Sequence, residues 1–218
     1  SSDVCSSDLV VSGWHIIPLH VELDVELEMR VLIACEYSGR VRDAFAALGH
    51  DAMSCDLLPT EQPGKHYQGD VFDVINDGWD LMVAHPPCTY LTNAGVCHLH
   101  KNPDRWNDLD EGAAFFKALL NSNVPRICIE NPIMHKYAVE IIGRRQNQVI
   151  QPWMFGHGET KATCLWLKGL PELQPTNIVE GREQRLHKLG PSPDRWKLRS
   201  TTYQGIADAM ASQWGNNV

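Results

Sequence analysis

A cysteine stands at residue 88 within "HPPCTYL" (85–91), directly after the apolar run "WDLMVA". Pro86 and Pro87 cannot continue a strand ladder or enter a helix interior, so they impose a rigid, irregular backbone there. A thiol on such a loop is either a nucleophile or inert buried filler. Similar places recur along the chain. Strand-like runs end in "CEYSGR" (35–40), "SCDLLP" (54–59), "HPPC" (85–88) and "IENP" (129–132), and "QGD" (68–70) lies among them. Thiols, carboxylates and a glycine turn therefore gather at the ends of strands.

The elements that position these groups alternate. "RVLIAC" is a short apolar run, and "GRVRDAFAALG" follows as a helix with Val41, Phe45 and Leu48 on one face and Gly49 at its end. "HDAMSCD" and "WDLMVA" read as strands, and "LDEGAAFFKALLNS" as a helix before the strand "RICIE". "IMHKYAVEIIG" reads as a further helix, "NQVIQPW" and "KATCLWL" as two more strands, and "GIADAMASQW" as the last helix. Strands alternating with helices imply an α/β fold whose mostly parallel sheet is covered on both faces. Ligands of such sheets sit at the carboxyl ends of the strands.

Composition narrows the class. The chain has 218 residues, of which 43% are hydrophobic and 21% charged, as in one globular domain. No apolar run approaches a membrane span. Seven cysteines without a CxxC pair read as reduced thiols of a cytoplasmic protein. Residues 1–28 carry six acidic and no basic side chains, which is −6 of the formal −8 and leaves −2 from Met29 onward. "SSDVCSSDL" lacks the features of a signal peptide and reads as a translated adapter, which makes residues 1–28 a non-native or disordered leader and Met29 the expected start. "HVELDVELE" alternates and could add a strand. Residues 181–199 hold six cations against two acids, a local +4 that suits a nucleic acid or a solvated surface.

In this order the strand-end motifs resemble the DNA cytosine-5 methyltransferases, specifically a compact group common in phages and prophages. The resemblance runs from Met29 to about Gly215, and its strongest parts are the Pro-Cys at 87–88 and the Glu-Asn-Pro at 130–132. It implies a three-layer, Rossmann-like class I methyltransferase fold, S-adenosylmethionine as donor, DNA as partner, and neither metal nor membrane. Residues 29–218 would form one methyltransferase domain without a large target-recognition domain. Cys88 would add to carbon 6 of a flipped-out cytosine. Glu130, kept protonated by desolvation at the end of "RICIE", would hold its proton against ring nitrogen 3. A free thiol is only a few per cent thiolate near neutrality, so Cys88 needs local help.

The resemblance also assigns the donor contacts. Tyr37, with Ser38 and Gly39 in its turn, would lie near the adenine, Asp56 would bind the ribose hydroxyls and Asp70 the adenine amine. Pro86 and Thr202 would complete the donor site. Gly39 stands where the family has a richer glycine loop, but a donor without phosphate does not require one. Lys101 and Arg105 of "KNPDRW", and Arg182, Arg185, Arg195, Lys197 and Arg199 of the basic stretch, would meet DNA phosphates. The interval 168–200, where relatives reading long sites carry a recognition domain, is too short for a core of its own.

Competing readings stand beside these. Cys88 could be a buried thiol, Glu130 a carboxylate favoured by a helix dipole, and Asp56 and Asp70 ordinary turn formers. "HPPC" half-matches the Pro-Pro motif of amino-methyltransferases, with His85 a poor acceptor at its first position. "CHLH" (97–100) lacks a partner cluster at zinc spacing. Arg199 could serve a carboxylated donor, and the chain could be an inactive DNA-binding relic.

Overall fold

The computed structural model describes residues 28–215, so the leader, with all but the last residue of "HVELDVELE", lies outside the described residues. Apolar runs become strands because alternate side chains enter two different cores. In β1 (Arg30–Ala34), Leu32 and Ala34 face one core while Val31 and Ile33 face the other. β4 (Leu81–Ala84) repeats the division with Met82 and Ala84 against Leu81 and Val83. β5 (Arg126–Pro132) does so with Ile127 and Ile129 against Cys128. Strands buried on both faces require helices on both sides of the sheet.

α2 (Arg105–Leu120) and α3 (Lys136–Ile142) cover the first face through Leu109, Ala113, Phe116 and Ala138. α1 (Arg40–Ala47) and α6 (Gln204–Gly215) cover the second through Val41, Phe45, Ile206, Met210 and Trp214. With β2 (Asp51–Asp56), β3 (His66–Gln68), β6 (Gln148–Ile150) and β7 (Thr163–Lys168), the sheet has seven strands in the order β3-β2-β1-β4-β5-β7-β6. Only β7 runs antiparallel to its neighbours. This is a three-layer, Rossmann-like α/β fold with a mostly parallel sheet, in line with the expectation drawn from the resemblance. The order reverses between β1 and β4, so a crevice opens where the turn after β1 faces the loop after β4.

The expected elements shift in places. Leu48 lies beyond α1 and is 39% exposed, so Ala44 and Arg42 join Val41 and Phe45 on the buried face. Gly49 ends the turn at φ +88°, as expected for a helix stop. α3 starts only at Lys136, because the His135 side chain accepts the Ala138 amide at 3.1 Å and caps the helix. "NQVIQPW" yields a three-residue strand and then a 3₁₀ turn at Pro152–Met154, since Pro152 cannot donate to a ladder. β3, just ahead of "QGD", is only three residues long, two half-buried and one exposed, and leaves no hydropathy signal of its own.

α6 enters the fold through one close approach. A β-carbon on Gly205 would lie 1.9 Å from the Phe155 carbonyl oxygen. Gly205→Ala should therefore destabilise the protein by about 1–3 kcal/mol or more in urea unfolding, as overpacking does. Gly143→Ala, whose β-carbon would meet nothing within 4 Å, should cost only the strain of its positive φ, of order 1 kcal/mol.

Candidate active site

β1 hands the chain to a strained turn. Cys35 has φ +58°, a left-handed conformation costing of order 1–3 kcal/mol that persists only where its surroundings impose it. The turn lays the buried Glu36 carboxylate beneath α1. Oε1 accepts the Val41 amide at 2.8 Å and the Ser38 hydroxyl at 3.0 Å, and Oε2 accepts the Arg42 amide at 3.3 Å. These amides are the ones that receive phosphate in nucleotide-binding α/β folds. Here an internal carboxylate occupies them, so a phosphate would be repelled and a donor without phosphate fits.

Gly39 sits at φ +75° before α1, and a β-carbon there would lie 2.5 Å from the Arg42 guanidinium. Arg42 is itself buried. It donates to Ser54, to Thr60 and to the carbonyls of Gln62 and Pro63 at 3.1–3.2 Å, tying the loop after β2 to α1.

Across the crevice, the ends of β4 and β5 meet. His85 Nδ1 lies 3.0 Å from Glu130 Oε2, and the Thr202 hydroxyl donates to the same oxygen at 3.2 Å. Burial alone would raise the Glu130 carboxyl. The bond and charge of His85, with Lys161 and Thr202, outweigh it and hold the group down at about 2. Burial likewise opposes the His85 imidazolium, but the hydrogen bond and charge of Glu130, and the charge of Glu36, raise it above its ordinary range. In the free protein Glu130 is therefore ionised. This corrects the expectation of a protonated carboxyl: desolvation is present, but a cation in hydrogen-bond contact overrides it.

Cys88 is half-buried and lines the same cleft as His85, Glu130, Lys161, Arg199 and Tyr37. Burial pushes its thiol up, and the charges of Lys161 and Arg199 offset this only in part. Lys161 has no counterpart among the residues singled out from the sequence. β7 is antiparallel, and its Thr163 pairs with Pro132 at the carboxyl end of β5, so the residues just before β7 arrive at the active edge. The signal was the lysine of "GETKATC" ahead of a strand, legible only once the direction of that strand is known.

The other residues separate into groups. Tyr37 is buried, bonds Ser200 through its hydroxyl at 3.1 Å and packs against Trp196 with ring centroids 5.5 Å apart. Pro86 lines the cleft, and its carbonyl accepts the Asn131 side-chain amide at 3.2 Å. Asp56 accepts the Leu58 amide at 2.9 Å and Asp70 caps the next 3₁₀ turn through the Phe72 amide at 3.0 Å. Both fill turn-forming roles; burial, with the charges of Asp56, Cys55 and Asp70, lifts the Cys35 thiol to about 12. Thr202 lines the cleft, and its hydroxyl bonds Glu130.

The basic residues are dispersed. Lys101 is exposed, while Arg105 stacks 4.8 Å from the Tyr90 ring. Arg182 stacks 3.9 Å from Trp153, Arg185 is paired with Glu159 at 2.9 Å, and Lys197 with Glu61 at 2.9 Å. Arg195 and Arg199 stand on α5 (Arg195–Ser200), a helix with no buried residue, after the single turn α4 (Arg185–Lys188). Among the described residues no group of three or more His, Cys, Asp or Glu could hold a metal, and no helix is long and apolar enough to cross a membrane.

No protein-family model and no curated protein matches the chain. Similar solved structures include a DNA modification methyltransferase encoded within an E. coli prophage, at 15% identity and a TM-score of 0.46, covering 70% of this chain and 52% of that one. They also include the Entamoeba histolytica methyltransferase EhMeth, at 14% identity and a TM-score of 0.45, covering 76% and 61%. The chain thus spans between half and two thirds of the length of either.

Proposed function

We propose that this protein is a DNA methyltransferase that transfers a methyl group from S-adenosylmethionine to carbon 5 of cytosine through a covalent Cys88 adduct. One observation carries the reading: Cys88 and Glu130, from the loop after β4 and the end of β5, line one cleft with Thr202 and two cations at the switch point of the sheet. When bound, the donor supplies an electrophilic methyl on a sulfonium. Tyr37, Ser38 and Pro86 would hold it, on the phosphate-free side set by Glu36. Lys161 and Arg199 favour the thiolate that Cys88 must form at the moment of attack. Thr202 orients Glu130 toward the base.

Amino-methyl transfer is a weaker reading, because His85 is turned onto Glu130 instead of standing ready to accept from an exocyclic amine. A donor with a carboxylate on the transferred carbon is the second reading, favoured by the two cations, Lys161 and Arg199, in the cleft. DNA would lie over Lys101, Arg105 and the α4–α5 segment, with Arg199 at the cleft, Arg195 beside it on α5, and Arg182, Arg185 and Lys197 first released from their partners.

Cys88→Ser should abolish turnover while leaving donor binding within a few-fold by calorimetry. Wild-type protein with donor and 5-fluorocytosine DNA should form a covalent complex through Cys88. Methylation without trapping would move the assignment to amino transfer, and lost donor binding in a folded Cys88→Ser protein would make the residue structural.

Phosphate contacts position a protein without reading bases, so binding should fall steeply with salt. Arg195→Ala should weaken it about equally on all sequences. Bisulfite mapping should show short contexts of about one to three bases, since the 168–200 interval carries two short helices and no core of its own. One strict site of five or more bases would overturn this expectation.

A further inference from the structure

Glu130 is ionised where the chemistry of the cleft needs a proton delivered to the base. The proton has one evident source. We infer that His85 is the proton reservoir of the site, giving its Nδ1 proton through the Glu130 carboxylate to ring nitrogen 3 as Cys88 adds, and taking it back when the adduct collapses. The inference rests on the proposed cytosine chemistry and extends it to a residue outside the thiol–carboxyl pair.

Three features of the geometry point this way. His85 Nδ1 is in hydrogen-bond contact with Glu130 Oε2 at 3.0 Å, and both side chains are about nine-tenths removed from solvent, 13% and 10% exposed. Near neutrality the nearest proton to this carboxylate is therefore the one on His85. Second, His85 Nε2 is buried and has no hydrogen-bond partner among the described residues, although its ring lines the cleft. An imidazole held only for structure would have both nitrogens satisfied. Third, Thr202 donates to the same Oε2, so the carboxylate is oriented whichever group carries the proton.

The charged and titratable groups facing His85 come from every element around it. They are Glu130 from β5, Glu36 from the turn after β1, Lys161 from the segment before β7, and Cys88 and Arg199 at the cleft. Burial and the Lys161 charge oppose the imidazolium, but the hydrogen bond and charge of Glu130, with the charge of Glu36, outweigh them and raise it. His85 therefore holds its proton to a higher pH than a free imidazole does.

The steps balance. Cys88 loses its proton to water, and its sulfur pair forms the bond to carbon 6 while the ring's π pair moves to carbon 5. The nitrogen that gains electron density takes the proton from Glu130, which takes one from His85 Nδ1. Carbon 5 takes the methyl as the methyl carbon's bond to the donor sulfur breaks, with the pair left on the donor sulfur. The carbon 5 hydrogen then leaves to water, its pair restores the ring double bond, and the bond from carbon 6 to Cys88 breaks with its pair returning to the cysteine sulfur. The ring proton then goes back through Glu130 to His85.

The test is the rate of covalent trapping on 5-fluorocytosine DNA between about pH 5 and 9, for wild type, His85→Gln and Glu130→Gln. Wild type should show an alkaline fall in rate at the pKa of His85, read independently by NMR titration of its ring. His85→Gln should be slower by about 10²-fold near pH 8, the usual worth of a placed proton donor, and should recover toward acid, where Glu130 is protonated directly. Glu130→Gln should remove the alkaline limb and lower the His85 pKa.

A His85→Gln profile parallel to wild type would overturn the inference, as would an imidazole that NMR finds neutral at pH 7. If His85→Gln does not fold, the wild-type limb and the NMR titration decide alone. Absence of trapping in wild type at any pH would instead defeat the cytosine-5 reading, leaving the His85–Glu130 proton pair to be judged by NMR.

Discussion

The site depends on one constraint: the carboxylate of Glu130 is buried at the end of a central strand and has to be compensated. An uncompensated buried charge costs several kcal/mol, and removing one partner of a buried pair costs about 3–5 kcal/mol. Compensation comes from His85, 45 residues away, and Thr202, 72 residues away. Satisfying that one carboxylate therefore locks together the loop after β4, the end of β5 and the turn before α6. The cleft is the space those three segments enclose with the turn after β1, and Cys88 lies in it because it follows His85 by three residues on a proline-stiffened loop.

The second internal carboxylate does a different job. Glu36 satisfies the first amides of α1 from within, which frees the fold from needing an anion there. A scaffold that often binds phosphate is thereby biased toward a ligand lacking one. The same bonds explain why a single glycine, Gly39, suffices in a turn where a phosphate loop would need several. The backbone has to clear only the Arg42 guanidinium, which clasps the neighbouring loop.

Charge along the sequence overstates charge on the surface. The +4 of residues 181–199 is partly paired at the surface, since Arg185 and Tyr203 share Glu159 and Lys197 meets Glu61, while Arg182 lies on Trp153. Lys161, outside that stretch, brings a cation to the cleft. Exposed pairs such as Lys197–Glu61 are worth little on their own, so a polyanion could replace the acidic partner at small cost.

What the sequence determined by itself was whatever local pattern dictates. Short continuous apolar runs such as "RVLIA" and "RICIE", alternating with apolar helical faces and glycine stops, specify an α/β sandwich, because such strands must be covered on both faces. The Pro-Pro-Cys and Glu-Asn-Pro strand ends, through the family they resemble, named the two candidate catalytic residues at the edge where a parallel sheet places its ligands. Tertiary structure decided the rest. β3 and the shortness of β6 depend on neighbours rather than on hydropathy. The direction of β7, set by its pairing with β5, brought Lys161 to the site. The protonation of Glu130 was misjudged from sequence because burial was legible there and its partner was not. Desolvation follows from a residue's own strand, but an ion pair with His85 exists only once two separate strand ends stand side by side.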